Sequence, residues 1–310
     1  RRFPVPDRRN AMNRYPLWKY LTVLAALVIG LLYTLPNFFG ESPAVQVSGA
    51  KSTVKIDNQT LDRVQGILRD AAGPYALVVG QDGKDVIWVP TPQTLVDKML
   101  DMAQVTPQDR LMDLGSGDGR TVITAAQRGL TAKGIEYNPD LVALSRSNAA
   151  KAGMSRRATF EVADLFETDL SQADVITMFL LSTINEKLRP RLLELPPGTR
   201  IVSNTFRMGD WEPDASETVT EACQTYCNAL LWVVPAKVDG RWQVGGRTLQ
   251  LEQQYQMLSG KLGSSEISDA RMDGRTISFT ADGVRYTGEV NGATIQGSAA
   301  GKGEWSARRI

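Results

Sequence analysis

The stretch Leu111-Met112-Asp113-Leu114-Gly115-Ser116-Gly117-Asp118-Gly119-Arg120 decides the fold that we expect for this chain. Its apolar start predicts a short buried strand over Arg110–Leu114, and the spacing of apolar residues after Arg120 predicts a helix. Three alternate glycines lie between them, and glycine lets the backbone adopt positive φ and approach a ligand closely. The start of such a helix leaves N–H groups free for a polar or anionic ligand. The stretch therefore predicts a ligand site at a strand-to-helix turn.

The spacing of these glycines separates two kinds of nucleotide site. A dinucleotide fingerprint would place its third glycine at Arg120, where packing of helix on strand needs a small residue. The spacing that fits is acidic-x-Gly-x-Gly-x-Gly, beginning at Asp113. It resembles motif I of class I S-adenosylmethionine-dependent methyltransferases, in which the carboxylate faces the amino-acid end of the cofactor. The resemblance implies that Asp113, Gly115, Gly117 and Gly119 bind S-adenosylmethionine, and an ordinary glycine-rich turn is the alternative.

After this turn, predicted strands and helices alternate, which indicates a parallel, doubly wound, Rossmann-like α/β sheet. A helix is expected over 139–152, and further strands are expected over 132–136, 159–163, 174–180, 200–205 and 228–238. In such open sheets the ligand lies beyond the carboxyl ends of the strands, where the strand order reverses. The fold class therefore also places the ligand site beside the glycine turn.

Two more acidic positions stand at predicted strand ends. Glu136 follows the glycines by about 20 residues, a spacing at which a carboxylate accepts hydrogen bonds from both ribose hydroxyls. Its alternative role is a solvated charge at a strand end. The methyltransferase resemblance implies that Asp164 accepts the adenine amino group and that Leu165 packs on the adenine ring. An aspartate there is also a common helix cap.

The acceptor side is less defined. The chain has no histidine, which excludes histidine acid–base catalysis, Ser-His-Asp triads and histidine-ligated zinc. A lysine acceptor must be neutral to attack a methyl group, so a carboxylate or a water path has to remove its proton. We rank Asn185, Glu186, Asn204 and Asp210 as catalytic candidates because they lie near the predicted strand ends on this side. No motif singles out one of them.

Several further stretches resemble one methyltransferase subgroup. They are Val-Pro-Thr-Pro at 89–92, Asn-Pro-Asp-Leu-Val at 138–142 and Arg-Pro-Arg-Leu-Leu at 189–193. A similar core occurs in membrane-anchored mitochondrial lysine methyltransferases that modify the ATP synthase c subunit. The resemblance covers about 85–213, and it implies that the segment before the glycine turn folds over the cofactor.

The N-terminal part predicts a membrane anchor. No charged residue occurs between Lys19 and Glu41, and 20–35 is almost wholly apolar. A helix of about 20 residues spans the hydrocarbon core of a bilayer. Six Arg and Lys residues precede the apolar run, so the positive-inside rule places the N-terminus in the cytoplasm. We expect a single-pass anchor in the lipid bilayer, and a cleaved signal peptide is the alternative.

The same region resembles the start of the SecD subunit of the bacterial protein translocase. The resemblance rests on Met-Asn-Arg-Tyr-Pro-Leu-Trp-Lys-Tyr at 12–20, Leu-Pro-Asn at 35–37 and Pro-Ala-Val-Gln-Val at 43–47. It runs over 12–73, about a fifth of the chain, and implies an inner-membrane location with the remaining chain on the periplasmic side. Two origins stay open, a genuine fusion and a join of two genes made during sequence assembly.

The C-terminal part predicts an antiparallel meander or partial barrel. Asp239-Gly240, Asp273-Gly274, Asp282-Gly283 and Asn291-Gly292 are typical of two-residue hairpin turns, and alternating segments separate the last three. This appendage can be a platform for a substrate or partner, or a structural cover for a sheet edge.

The composition limits the kinds of ligand and partner that we expect. A net charge of +1 gives no reason to expect nucleic acid binding. Cys223 and Cys227 are too few for a zinc site, so we expect no metal. Their spacing of four places both on one face of a helix as buried thiols, or as a disulfide if this part of the chain is exported.

These observations predict four segments and one main function. The segments are a basic stretch with a transmembrane helix (1–40), a SecD-like stub and linker (41–84), a methyltransferase domain (85–238) and a β-rich appendage (239–310). The expected function is methyl transfer from S-adenosylmethionine, to a protein side chain such as lysine or to a small-molecule acceptor. The alternative is a non-catalytic, envelope-facing binding or scaffold protein on the same fold, and a dehydrogenase ranks third because the glycine spacing fails.

Overall fold

The computed structural model describes Lys19 and residues 88–310. The predicted transmembrane helix at 20–35, the stub and linker at 41–84 and, Lys19 apart, the SecD-like stretch at 12–73 lie outside the described residues. Among the residues that are described, no helix has both the length and the apolar character needed to cross a membrane. The division into four segments stays a prediction.

The first half of the described chain alternates helices and strands. The elements are α1 (Gln93–Met102), β1 (Arg110–Leu114), α2 (Arg120–Gln127), β2 (Thr131–Glu136), α3 (Pro139–Lys151), β3 (Ala158–Val162), β4 (Val175–Met178), α4 (Ser182–Leu192), β5 (Arg200–Asn204), β6 (Ala215–Thr218) and β7 (Asn228–Val233). The predicted strands and helices occur in the expected order; α4 and β6 were not predicted, and β7 ends five residues earlier than expected.

Within the described residues these strands form a seven-stranded sheet in the order β3-β2-β1-β4-β5-β7-β6. The first five strands are parallel, and β7 runs antiparallel to both β5 and β6. The chain moves outward from β1 to β3 and then crosses back to β4 on the other side of β1. The strand order therefore reverses between β1 and β4, which is the position at which open α/β sheets bind ligands.

The apolar residues of helix α1 form part of the hydrophobic core. Leu95, Val96, Met99 and Leu100 recur at helical spacing, and none is more than 2% exposed. This face packs against α2, β5 and β7. Burying four such side chains removes apolar area from water, which is the main stabilising term for an amphipathic helix of this length. Helix α1 is thereby fixed beside the carboxyl edge of the sheet, and residues 88–92 lead into it.

The second half of the described chain contains strands only. They are β8 (Gly240–Val244), β9 (Arg247–Gln254), β10 (Met257–Leu262), β11 (Ser265–Glu266), β12 (Ser268–Asp273), β13 (Thr276–Ala281), β14 (Val284–Asn291), β15 (Thr294–Ala299) and β16 (Gly303–Arg309). All the pairings are antiparallel, and β8 pairs with both β9 and β16 while β10 pairs with both β9 and β12. The predicted meander therefore closes into a barrel-like sheet.

Alternating side chains fill the interior of this barrel-like sheet. Phe279 and Tyr286 stack with ring centroids 4.9 Å apart, and Trp305 packs edge-on against both. Trp242 and Phe279 are fully buried. The interior is thus a packed aromatic core with the period-two pattern that the sequence shows.

Two-residue hairpin turns form at three of the four predicted places. The turn at Asp282-Gly283 is confirmed, whereas the other two turns, Gly274-Arg275 and Gly292-Ala293, lie one residue later than predicted. The pairs Asp273↔Thr276, Ala281↔Val284 and Asn291↔Thr294 each enclose two residues. The prediction for Asp239-Gly240 was wrong. Gly240 begins β8 there, because the Asp239 side chain accepts a hydrogen bond from the backbone N–H of Gln253 and ties the segment to β9 instead of forming a hairpin.

The two sheets are joined through buried polar and aromatic contacts. The Trp211 indole N–H donates to the Gln256 side-chain oxygen at 3.0 Å, and the Trp232 indole N–H donates to the backbone oxygen of Trp211 at 2.8 Å. Trp211 also stacks on Tyr255, with ring centroids 5.8 Å apart. Because the turn that joins β9 to β10 is tied in this way, the barrel-like sheet is held on the β7 side of the first sheet.

Candidate active site

A cavity of about 1000 Å³ opens at the carboxyl edge of the first sheet, beside the β1–β4 reversal. Its wall includes residues that directly follow β1, β2, β3 and β4, together with the segment that leads into α1. A volume of this size suits a nucleoside-type cofactor with part of an acceptor.

The glycine turn forms the floor of this cavity. Gly115 lines it directly, whereas Gly117 and Gly119 shape the turn without lining it. The Gly117 N–H donates to a Glu136 carboxylate oxygen at 3.0 Å, and φ at Gly117 is +53°. A Cβ at Gly117 would lie 2.0 Å from the Trp88 indole nitrogen, so no larger residue fits there. Glycine is required because both the backbone conformation and the close approach of Trp88 exclude a side chain.

Asp113 is a buried acid that lines the cavity. It is 6% exposed, and the Thr177 hydroxyl donates to its carboxylate at 2.6 Å from the register-paired position on β4. Burial raises the pKa of Asp113 to about 7; the Thr177 hydrogen bond opposes the rise, and the charges of Glu136 and Asp118 add to it. A buried carboxyl of this kind gains from a cationic partner such as a ligand ammonium group.

Glu136 keeps free acceptor capacity although it is partly engaged. Its two oxygens accept from the backbone N–H groups of Gly117 and Asn138, each at 3.0 Å. An ionised carboxylate offers about four acceptor positions, so two remain for a diol. Asp164 and Leu165 line the cavity past the end of β3, and one Asp164 oxygen accepts from the Phe166 N–H at 2.9 Å. The residues present therefore fit an S-adenosylmethionine cofactor.

A strap at residues 88–92 lies against the glycine turn and is held there by Arg120. The Arg120 guanidinium donates to the Thr91 backbone oxygen at 2.8 Å and pairs with Asp118 at 2.7 Å. The Asn204 amide donates to the Thr91 hydroxyl at 3.3 Å from the other side. These contacts place the Val-Pro-Thr-Pro segment along the cavity, as the family resemblance implies.

The side of the cavity beyond β4 and β5 is aromatic. Phe179 follows β4, Phe206 follows β5, and Tyr226 precedes β7; all three line the cavity. The ring centroids of Phe179 lie 5.8 Å from Phe206 and 5.3 Å from Tyr226, and Phe206 lies 5.7 Å from Tyr226. We call these residues the aromatic wall. Sequence reasoning missed it because the three rings are far apart along the chain and follow no periodic pattern.

None of the four predicted catalytic candidates lines the cavity, as far as the described residues define it. Asn185 and Asn204 are fully buried behind its wall, and the Asn185 amide donates to the backbone oxygen of Phe206 at 3.1 Å. Glu186 is exposed on α4. Asp210 is exposed and pairs with Arg189; the Tyr255 hydroxyl, at 3.0 Å, is the main cause that holds the pKa of Asp210 below its ordinary value.

Of the two states left open for the cysteine pair, the structure contains the disulfide and not the buried thiols. Cys223 and Cys227 form a disulfide in an irregular segment before β7, and both are half-buried. The segment is not helical, because the chain turns back there to bring β7 antiparallel beside β6. Sequence spacing alone did not distinguish the two states, since a separation of four suits a helix face and a tight loop equally well.

Comparison with known proteins agrees with this geometry. The family model described as the ANTKMT methyltransferase domain matches residues 113–215. A protein-lysine N-methyltransferase of Saccharolobus islandicus is 44% identical over 131 residues, which are 41% of this chain and 81% of that protein. The adenine nucleotide translocase lysine N-methyltransferase of Mus musculus is 38% identical over 122 residues, 39% of this chain and 53% of that protein.

A solved structure and a second family extend the comparison. An RNA methyltransferase from Salinibacter ruber, in complex with S-adenosyl-L-homocysteine, is 45% identical, covers 48% of this chain and 96% of its own, and has a TM-score of 0.45. The model of the SecD export protein N-terminal TM region matches residues 12–97. SecD of Escherichia coli K12 is 56% identical over 59 residues, 19% of this chain and 9% of SecD. The predicted resemblance to SecD is confirmed.

The S. islandicus relative decides the family. The chain covers four-fifths of that protein at an identity well above the level at which unrelated sequences align. The family model begins at Asp113 and includes the glycines of the turn. This finding is against the alternatives of a non-catalytic scaffold and a dehydrogenase. The chain therefore belongs to the same family as the S. islandicus enzyme and is an S-adenosylmethionine-dependent methyltransferase.

Proposed function

We propose that this protein methylates the ε-amino group of a lysine residue in a protein acceptor. The observation that carries the proposal is the aromatic wall, which lines the cavity on the side opposite the strand-end carboxylates. In this proposal Asp113, Glu136, Asp164 and Leu165 hold the cofactor, and the acceptor lies against the rings.

The chemistry explains why aromatic faces suit this reaction. Bound S-adenosylmethionine supplies a methyl group on a positively charged sulfur. When a neutral amine takes the methyl group, the positive charge moves to the amine nitrogen. The faces of Phe179, Phe206 and Tyr226 carry negative quadrupoles, so they stabilise a cation where the charge arrives. They also exclude water and align the amine with the methyl group.

The charge of the cavity also favours cationic ligands. Among the described residues its wall carries five carboxylates and two cationic side chains, namely Asp113, Asp118, Glu136, Asp164 and Glu167 against Arg120 and Lys187. A concave site with an excess of one sign concentrates ligands of the other sign. This excess supports both a sulfonium cofactor and a lysine acceptor.

Asn185 and Asn204 have positioning roles in this proposal. Asn204 supports the strap through Thr91, and Asn185 supports the aromatic wall through the backbone of Phe206. Glu186 and Asp210 have no such link among the described residues. We therefore expect Asp210→Asn to leave kcat and KM within about twofold, because exposed ion pairs contribute little.

The names of two relatives support the acceptor class. Both the S. islandicus and the M. musculus proteins are named lysine N-methyltransferases, and the M. musculus name specifies the adenine nucleotide translocase. The chain spans about half of the M. musculus protein, so we do not propose the acceptor of that protein for this chain.

The test uses the full chain in detergent, with methyl-tritiated S-adenosylmethionine and a proteome from cells that lack the protein. We expect label in protein, resistant to ribonuclease, and mass spectrometry should place it on lysine. The matched variant Phe206→Leu keeps an apolar side chain but loses the aromatic face; acceptor kcat/KM should fall about tenfold while the cofactor Kd stays within twofold. Label confined to RNA, or to residues other than lysine, would refute the proposal.

We also propose that residues 20–35 anchor the enzyme in the inner membrane, with the N-terminus in the cytoplasm and 88–310 on the periplasmic side. The apolar run, the preceding basic residues and the match to the SecD membrane region support this. Protease added to spheroplasts should digest a C-terminal tag in intact spheroplasts. Protection of the tag until the cells are lysed would refute the periplasmic orientation.

A further inference from the structure

The segment between β6 and β7 brings a disulfide next to the aromatic wall. Cys223 and Cys227 are joined, and Tyr226 lies inside the loop that the bond closes. Tyr226 is the wall residue with the most exposed ring, 42% exposed, and it contacts both Phe179 and Phe206. The disulfide is thus one residue away from a side chain that lines the cavity.

The backbone of this loop is in an unfavourable conformation. Ala222, just before the cross-linked segment, has φ +52°, and Tyr226, inside it, has φ +57°. Residues with a Cβ rarely adopt left-handed φ, and each such residue costs about 1 kcal/mol or more. A free segment would relax out of this conformation, so other interactions must hold it.

Few other contacts hold the tip of the loop. At its base the Val219 N–H donates to the Cys227 backbone oxygen at 2.9 Å, which continues the β6–β7 pairing. Beyond the base, the Thr94 hydroxyl donates to the Glu221 backbone oxygen at 3.3 Å. Apart from these two contacts, residues 220–226 form no backbone–backbone hydrogen bond within the described part of the chain. The disulfide is therefore the main restraint on the backbone of Tyr226.

We propose that the Cys223–Cys227 disulfide positions Tyr226 as the outer face of the acceptor subsite, so that acceptor binding depends on the oxidised bond. This inference rests on the proposed lysine methylation for the identity of the acceptor. Cys223 and Cys227 are positioning residues, and Tyr226 is the residue that touches the acceptor. On reduction by a dithiol, the S–S bond takes up two electrons and two protons to give two thiols, and the dithiol becomes its own disulfide. Tyr226 then leaves the rings of Phe179 and Phe206.

The cysteine content makes the test specific. The whole chain contains two cysteines, so a dithiol reduces this bond and no other in the protein. The Cys223→Ser/Cys227→Ser variant provides the same open loop without a reductant. Tyr226→Phe keeps the ring and serves as the conservative control, whereas Tyr226→Ala removes it.

The first readout does not depend on an acceptor. In full-length protein labelled with 3-fluorotyrosine, the ¹⁹F resonance of Tyr226 is assigned by its loss in Tyr226→Phe. We expect dithiothreitol, and equally the double serine variant, to move this resonance to the position of a free tyrosine and to narrow it. An unchanged resonance after complete reduction would overturn the proposal, because the ring would then be held without the bond.

The second readout separates acceptor from cofactor. Reduction, the double serine variant and Tyr226→Ala should each raise the acceptor KM about fivefold, while the Kd of S-adenosylhomocysteine stays the same; Tyr226→Phe, which keeps the ring, should raise the acceptor KM less than Tyr226→Ala does. An acceptor KM of the reduced protein within 1.5-fold of that of the oxidised protein would also overturn the proposal. If oxidised wild-type protein methylates no lysine, the proposed function fails, and the fluorine resonance alone decides whether the disulfide holds Tyr226.

Discussion

The raised pKa of Asp113 predicts a steep pH dependence of cofactor affinity. In the proposed site the amino group of the cofactor binds an ionised Asp113, whereas in the free protein burial raises the pKa of this carboxyl to about 7. Below that pH, binding must first remove a proton, so the apparent Kd rises by a factor of 1 + 10^(pKa − pH). This factor is about 100 at pH 5 and about 2 at pH 7, and we therefore expect the Kd to fall about 50-fold between these values.

Calorimetric titration of S-adenosylhomocysteine into the full chain measures this dependence directly. The ligand has the same amino-acid end as the cofactor and does not decompose by losing its methyl group. The range should stop at about pH 7.5, because α-amino groups lose their own proton just above it. Asp113→Asn should bind weakly, with a Kd that hardly changes with pH.

Two neighbouring variants should shift the midpoint of this dependence in opposite directions. Thr177→Val removes the hydrogen bond that lowers the pKa of Asp113, so the midpoint should rise by about one pH unit. Asp118→Asn removes a charge that raises this pKa, so the midpoint should fall. A Kd that changes less than threefold between pH 5 and pH 7, or an equally steep slope in Asp113→Asn, would refute the assignment of Asp113 to the cofactor amino group.

Three further outcomes follow from contacts in the structure. Because the folded-state pKa of Asp113 is raised, the stability that this residue contributes is present below about pH 4 and is lost as the pH rises to about 7. Asp113→Asn should therefore stabilise the cofactor-free protein by at most about 4 kcal/mol at pH 7.5 and hardly at pH 4. Urea unfolding at the two pH values measures this difference. Gly117→Ala should weaken cofactor binding at least about tenfold, because its Cβ meets Trp88 and φ is left-handed, and calorimetry showing wild-type affinity would contradict this. Gln256→Ala leaves the buried indole N–H of Trp211 without its acceptor and should lower the unfolding free energy by about 1–3 kcal/mol, which an unchanged urea midpoint would exclude.

Local pattern was sufficient to predict the cofactor half of the cavity. Asp113, Glu136 and Asp164 each stand at the end of a strand whose apolar run is visible in the sequence, and parallel strands bring their carboxyl ends to one edge. Their predicted position follows from chain order and strand period alone. All three line the cavity, and their contacts with the cofactor stay a prediction.

The acceptor half could not be predicted in the same way. Phe179, Phe206 and Tyr226 come together because β5 and β7 pair antiparallel and the chain loops back before β7. Such contacts depend on long-range pairing, which leaves no periodic trace in a single segment. For the same reason Asn185 and Asn204 look like site residues by position, although the structure places both behind the wall.

The sequence by itself therefore determined the strand-to-helix glycine turn, the βα order, the carboxylates at the strand ends and most hairpin turns, because each is fixed by residues within a few positions of one another. The tertiary structure decided the closure of the meander into a barrel-like sheet, the disulfide, the aromatic wall and the raised pKa of Asp113. Each of these depends on burial or on contacts between distant parts of the chain. Burial and distant contacts exist only after the core has formed, so a reading of local pattern cannot contain them.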